Sequence, residues 1–459
     1  MNSKTRTRTI ILLILVLTMS LLSACMKEEN KGGELEGKLE GTLKVMYFQE
    51  NLFFQKYGNY FMNQFPNVEF EVVNTQWLMK YPAADSNKAF KEYIEERKPD
   101  VLYLDMSSYS YAIENDLLHP LDSVIQQDKF DLEGILPMVT DWLKKEGSGG
   151  LYALAPEFST SGLYYNIDLF EKYNVELPRN GMSFQEVLNL AEQFPVKGSE
   201  AERIYGLSTT SSSTATKLSE AIFQMTNYYG TVQGLSYVSA DGKNITIDSP
   251  QWRNIYEKVV DTYQSGIISP PGSWENDLFL NGRAAMIVEG SYYLNMISQA
   301  EGRLKSPLRW GVVTQPVHSQ DPDVAPNMGL TDIFGVYANS PNKKLAWEFI
   351  KFASGTEVAK SLSRAPGGSL SVRPDFIPEV NGTALSAFYE LTKMSDFSYP
   401  LNVPEGFDSI LQTIFSRETE AVLAGEQTID EALQKINAKG NEQLKEAHIR
   451  AALKKEKDK

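Results

Sequence analysis

The chain has 459 residues, 42% of them hydrophobic and 22% charged, and carries a formal net charge of −15. That length provides for two or three lobes with cores of their own. The acidic balance argues against nucleic acid as a partner and against an electrostatic grip on anionic lipid. Cys25 is the single cysteine, so no intramolecular disulfide can form. The 23 Tyr, 22 Phe and 6 Trp are generous for a chain this polar. Most must be core, but aromatic side chains on an exported protein also suit stacking on the apolar faces of sugar rings.

The first 25 residues begin with Lys4, Arg6 and Arg8, continue through an apolar run over 10–19, and end in Leu22-Ser23-Ala24-Cys25. A basic start, a short apolar run and small residues at the cut read as a secretory signal over 1–24, too short for a comfortable membrane span. The ending resembles the bacterial lipobox, in which the cysteine is lipidated and becomes the first mature residue. Residues 25–40 are charged, carry glycine and are almost devoid of apolar side chains, which suits a solvated tether.

Further on, Leu43-Lys44-Val45-Met46-Tyr47-Phe48 reads as a buried first strand, and 53–65 as a helix that stops before Pro66. Val68-Glu69-Phe70-Glu71-Val72-Val73 alternates as a second strand. Residues 87–97 form a helix stopped by Pro99, and 100–105 a third strand. Strand–helix–strand alternation with short joins predicts a parallel α/β sheet, with ligands beyond the carboxyl ends of its strands. A glycine-rich turn at 147–150 precedes extended segments at 151–156 and 162–166, and then a second α/β lobe opens. Ser183 and Glu186 have the spacing of a capping box, with Met182 placed to staple Val187. Asp241-Gly242 marks a hairpin turn, Ser249-Pro250 a helix start and 310–313 a strand. Residues 333–337 read as another strand, Ser340-Pro341 as the start of a helix, and Thr428 with Glu431 as a second capping box.

The order of motifs resembles the family 1 extracellular solute-binding proteins, the ligand receptors of ABC importers for sugars. The resemblance is carried by Pro99-Asp100-Val101-Leu102-Tyr103, Leu151-Tyr152-Ala153-Leu154-Ala155-Pro156 and Tyr164-Tyr165-Asn166-Ile167-Asp168-Leu169-Phe170. Leu280-Asn281-Gly282-Arg283-Ala284-Ala285-Met286, Ala346-Trp347-Glu348-Phe349-Ile350 and Ala424-Gly425-Glu426-Gln427-Thr428-Ile429 continue it. It implies an α/β, two-lobe periplasmic-binding-protein-like (type II) fold that closes on ligand about a multi-crossing hinge. The crossings would lie near 155–158, near 329–336 and after Pro374. Lobe 1 would comprise 41–155 and 331–385, and lobe 2 would comprise 156–330 and 386–459.

In that family the loops after the first strand, after the Pro-Asp strand and at the first crossing line the cleft. By position these are Gln49, Glu50 and Asn51; Asp105, Ser107 and Ser108; and Glu157, Ser159 and Thr160. Carboxylates and amides at strand ends suit a polyol, whose neighbouring hydroxyls each can hold, while the serines serve equally well as helix caps. Tyr292, in Gly290-Ser291-Tyr292, takes the place of a sugar-stacking tryptophan. Trp77 and Trp274 sit in polar loops and are further candidates, and Phe407 is the aromatic nearest the C-terminal helices.

The three histidines, His119, His318 and His448, have no metal-ligand spacing, and no phosphate loop, nucleophile elbow or calcium loop occurs. No metal, cofactor or catalytic residue is therefore expected. The reading is a monomeric, lipid-anchored receptor on the extracytoplasmic face of a Gram-positive cell membrane. It would hold a small-molecule solute, a mono- or oligosaccharide, for the membrane subunits of an ABC permease, and bind no nucleic acid. A tethered carbohydrate-active hydrolase and a ligand receptor for a sensor kinase are the alternatives.

Overall fold

The computed structural model describes residues 38–80, 83–199, 202–209, 215–272, 276–301, 307–364, 368–395 and 403–457. Cys25 with its signal, most of the tether, and Trp274 lie outside the described residues. In chain order the strands are β1 (Gly41–Tyr47), β2 (Val68–Asn74), β3 (Val101–Leu104), β4 (Ala153–Leu154), β5 (Glu157–Asn166) and β6 (Tyr205–Ser208). They continue with β7 (Ala284–Gly290), β8 (Trp310–Thr314), β9 (Val324–Ala325), β10 (Met328–Thr331), β11 (Ile333–Val336) and β12 (Leu370–Ser371).

Two sheets result. The first runs β2-β1-β3-β11-β4; the second runs β10-β5-β7-β6, with β8 and β12 also on β5. Each organises its own side of a two-lobe molecule. The predicted parallel pairing holds for β1 with β2 and β3, and for β6 with β7. The sheets as wholes are mixed, because β11 runs antiparallel to β3 and β4 and β5 runs antiparallel to all its partners. The reason is the return path: β11 enters the first sheet from the second lobe, from the end opposite to β3. Buried Leu43, Val45, Met46 and Tyr47 make β1 apolar on both faces, as a strand covered on both sides requires.

β5 is the longest strand. Its first residues, Glu157–Thr160, pair with β10 and its last, Ser161–Asn166, with β7 and β8. The first-sheet core therefore extends across the hinge through Phe158, Leu330 and Leu370, while a second core fills the far lobe around Phe184, Trp252, Tyr256 and Phe415. Gly162 permits this packing, since a Cβ there would stand 2.7 Å from Val312 Cγ2 and 2.8 Å from Phe388 Cε1. Leu370 and Ser371 already pair with β5 ahead of Pro374, so the chain reaches the hinge a third time at that point.

Local signals behave as their chemistry dictates, with two corrections. Ser183–Glu186 and Thr428–Glu431 form reciprocal capping boxes, and Val238 bridges Ile245 across the Asp241-Gly242 turn. The helix expected over 53–65 is instead interrupted by a π-helical turn, Phe54–Gly58, between Glu50–Phe53 and Asn59–Gln64. The helix expected from Ser340-Pro341 begins at Lys343; the Ser340 hydroxyl donates to Asp100 at 2.6 Å and accepts from the Asn342 amide at 2.9 Å just ahead of it.

Candidate functional site

The hinge is built around one lysine. The crossing from β4 puts Glu157 at the start of β5, and Asp332 alone joins β10 to β11, in the left-handed conformation (φ 56°). From the first lobe the π-helical turn presents Lys56 and Tyr57. Lys56 Nζ lies 2.7 Å from Glu157 and 2.8 Å from Asp332. The Tyr57 hydroxyl contacts both carboxylates, at 2.9 and 2.7 Å, and the Tyr47 hydroxyl donates to Asp332 at 2.8 Å. Burial alone would lower the Lys56 pKa, but the facing carboxylates outweigh it and hold the ammonium above its ordinary value. Burial pushes Glu157 up, with Lys56 pulling it back and Asp332 adding to the rise. Burial, reinforced by Asp332, raises Tyr47, Tyr57 and Tyr103, so these phenols stay neutral donors.

Two cavities open on either side of this hinge. The one in the second lobe, about 270 Å³, lies at the ends of β6 and β7. Phe184 opens the helix Phe184–Ala191, Gln224 and Tyr228 come from Leu218–Val232, Tyr263 from Pro250–Gln264, and Glu289 and Tyr292 from the end of β7. Phe184 meets Tyr228 edge to face at 5.7 Å, and the Tyr292 hydroxyl donates to Glu289. Gly290 makes room for that: a Cβ there would fall 2.5 Å from Tyr292 Cε1. Burial raises Tyr263 to about 12, with Thr209 pulling the other way. The Tyr228 hydroxyl is also raised by burial and finds no hydrogen-bond partner among the described residues. A buried donor left unpaired costs about 1–3 kcal/mol.

The first-lobe cavity, about 430 Å³, is walled by Phe48, Thr75, Asn87, Tyr103, Asp105, Ser107 and Ser108, with Leu330, Thr331 and Asp332 from the hinge. Strand β10 links the two cavities: Asn327, just before it, lines the second-lobe cavity, and Leu330 and Thr331 line the first-lobe one. The buried Thr331 hydroxyl also lacks a partner among the described residues. Two cavities with a few convergent polar groups, flanking a crossing, are the arrangement of a ligand cleft.

Of the residues singled out from sequence, the structure brings Asp105, Ser107 and Ser108 together on the first-lobe wall and Tyr292 on the second-lobe wall. Asp105 and Ser108 are at once a capping box for the helix Met106–Glu114. Glu157 belongs to the hinge cluster, with neighbours Ser159 and Thr160 bonded to the carbonyls of Gly329 and Asn327. Gln49, Glu50, Asn51 and Trp77 do not line either cavity; Trp77 packs edge-on to Tyr93 at 4.6 Å. Phe407 is fully buried in the second core at the first position of Phe407–Leu423, where its ring faces no solute.

Sequence reading missed Lys56, Tyr57, Asp332, Tyr228, Tyr263 and Glu289. Lys56 and Tyr57 sat inside an ordinary helical stripe. Tyr228 is one of an adjacent tyrosine pair whose other member, Tyr229, is core. Asp332 carried the one usable signal, an acidic residue between two apolar strand segments.

The family model described as bacterial extracellular solute-binding protein matches residues 61–388. The glycerol-3-phosphate-binding periplasmic protein of Agrobacterium fabrum is 23% identical over 305 residues, 62% of this chain and 65% of that relative. That of Rhizobium meliloti is 22% identical over 378 residues, covering 77% and 83%. Among solved structures, a sugar transporter from Rhizobium etli in an open conformation superposes with TM-score 0.61 at 18% identity, over 88% of this chain and all but 1% of the other (99%). The sugar-binding protein of Xanthomonas citri gives 0.59 at 17% identity, over 91% and 99%. A substrate-binding protein of Listeria monocytogenes with bound cycloalternan gives 0.56 at 21%, over 88% and 98%.

Proposed function

Because the chain belongs to the bacterial extracellular solute-binding proteins, we propose that it captures a carbohydrate between its lobes and delivers it to an ABC importer. The observation that carries this reading is the second-lobe cavity. Its aromatic rings, Tyr228, Tyr263 and Tyr292, offer faces for sugar C–H groups, and the buried Tyr228 hydroxyl has a donor to give. Solved relatives named for sugars share the fold. The first-lobe wall, with Asp105 and Ser107, closes over the solute and completes its contacts.

Closure follows from differential affinity: a ligand touching both walls stabilises the closed arrangement, and the permease subunits read that state. The lobes in this reading are 41–155 with 331–385, and 156–330 with 386–459, turning about the β4–β5 and β10–β11 crossings and a third after Pro374. The protein acts as a monomer, held by lipid on Cys25 at the outer face of a Gram-positive membrane, and is a receptor rather than a hydrolase.

A thermal-shift screen against neutral mono- and oligosaccharides tests the proposal, since binding to the native state alone raises the melting temperature. At least one sugar is expected to stabilise the protein without being turned over, and Tyr292→Ala is expected to abolish the shift. An unchanged shift in that variant removes Tyr292 from the site, and turnover at a catalytic rate sinks the receptor reading.

A further inference from the structure

We propose that the solute is an oligosaccharide rather than a single sugar, laid along a polar ribbon that joins the two cavities. The inference deepens the carbohydrate reading and rests on it. The ribbon is β10 paired with the start of β5, where Met328 faces Thr160, Gly329 faces Ser159, Leu330 faces Phe158 and Thr331 faces Glu157. Side chains alternate between the faces of a sheet, and residues directly opposite share a face. One face of the ribbon carries Phe158 and Leu330, both buried in the first core. The other carries Ser159 with Gly329 and Glu157 with Thr331, and is continued by Asn327, whose amide donates to the Ser161 hydroxyl at 3.0 Å. Ser161 and Asn327 line the second-lobe cavity, and Thr331 lines the first-lobe one.

Asn327 and Thr331 stand four steps apart on one strand, about 13 Å, which is longer than a sugar ring. Because both belong to the same strand, that length is kept when the lobes close. The far end is also held: fully buried Gln315 accepts from the Asn327 backbone amide at 3.2 Å and donates to its carbonyl at 3.0 Å. Each cavity has a buried hydroxyl without a partner among the described residues, that of Tyr228 in the second lobe and that of Thr331 in the first. Glu157, opposite Thr331, is already committed to Lys56. One ring cannot meet both hydroxyls, whereas a chain of rings can. Between them Gly329 leaves the ribbon bare. Its φ is not left-handed, and an added Cβ would have Ser159 Oγ as its nearest neighbour, at an ordinary 3.5 Å. A strand glycine that neither backbone nor packing requires suits a close approach from outside.

The test uses the full chain and titration calorimetry with chain-length series: glucose with maltose and maltotriose, glucose with cellobiose and cellotriose, and xylose with xylobiose and xylotriose. In at least one series affinity is expected to rise by about tenfold or more from monosaccharide to trisaccharide. Gly329→Val places a strand-favouring side chain on the ribbon; the free protein is expected to melt as the parent does and to hold the trisaccharide at least about tenfold more weakly. Thr331→Val keeps the shape and removes the hydroxyl; it is expected to weaken the trisaccharide about tenfold and to leave the monosaccharide's affinity unchanged. A monosaccharide that binds as tightly as its trisaccharide overturns the inference and leaves the receptor reading standing. A trisaccharide whose affinity neither variant changes does the same. Silence from every probe overturns the carbohydrate reading and the inference with it.

Discussion

The hinge and the second-lobe cavity are built from similar parts, and the hinge sets a lysine, Lys56, between its carboxylates. Both gather tyrosines around buried carboxylates: Tyr47, Tyr57 and Tyr103 with Glu157 and Asp332 at the hinge, and Tyr228, Tyr263 and Tyr292 with Glu289 in the cavity. At the hinge Lys56 answers both carboxylates and the Tyr47 and Tyr57 hydroxyls reach them as well, so the network is satisfied from within. In the cavity the Tyr228 hydroxyl is left without a partner among the described residues. A saturated polar cluster holds the backbone in place; one with an unmet donor holds it ready for something else. On this view the hinge is the frame and the second-lobe wall is the receiving surface.

Removing the lysine should break the contrast most severely. Lys56→Met leaves two carboxylates buried without their cation and is expected to cost about 3–5 kcal/mol, read from urea denaturation at neutral pH. The sign of its pH dependence follows from Glu157, whose pKa is raised by burial. A carboxyl raised in the folded state favours folding in its protonated form, so its contribution is full below the unfolded value and is lost as pH rises through the folded one. The gap between Lys56→Met and the parent protein should therefore shrink as pH falls into the carboxylate range. A gap that stays constant or widens on acidification would show that Lys56 does not answer Glu157.

Tyr57→Phe is a milder break at the same place. It deletes a hydroxyl that reaches two charged acceptors and should cost about 1.5–3 kcal/mol in stability. Tyr228→Phe provides the sharpest contrast with it, although its effect is the smallest. Losing an unpartnered hydroxyl should leave the free protein as stable as before, or more stable by up to about 1 kcal/mol, while weakening ligand about tenfold. If Tyr228→Phe destabilised the free protein as Tyr57→Phe does, the two clusters would be alike and the cavity would lose its claim as the receiving surface.

Local chemistry was legible in the chain to a considerable depth. Ser183 with Glu186 announced a helix start through spacing alone, since a capping box is closed within four residues. The Asp105 loop could be placed at a strand end because the apolar run 101–104 stops there, but its double use, as cap and as cavity wall, depends on where the helix that follows points. Aromatic residues were the poorest guides. Phe407 and Tyr292 both follow a glycine-containing turn, yet one is sealed in a core and the other stands 38% exposed over the cavity. Burial is a property of what packs on top, which a single residue's neighbours in sequence do not state.

By itself the amino-acid order determined the periods, stops and caps that make two α/β lobes, because those interactions reach only a few residues along the chain. Which lysine meets which carboxylate was decided only by tertiary structure: Lys56 finds Glu157 and Asp332 across intervals of roughly 100 and 276 residues. Contacts over such distances exist only once both sheets have formed and the chain has crossed between them. The hinge and the cavity, and with them the place where a solute can be held, come into being at that step.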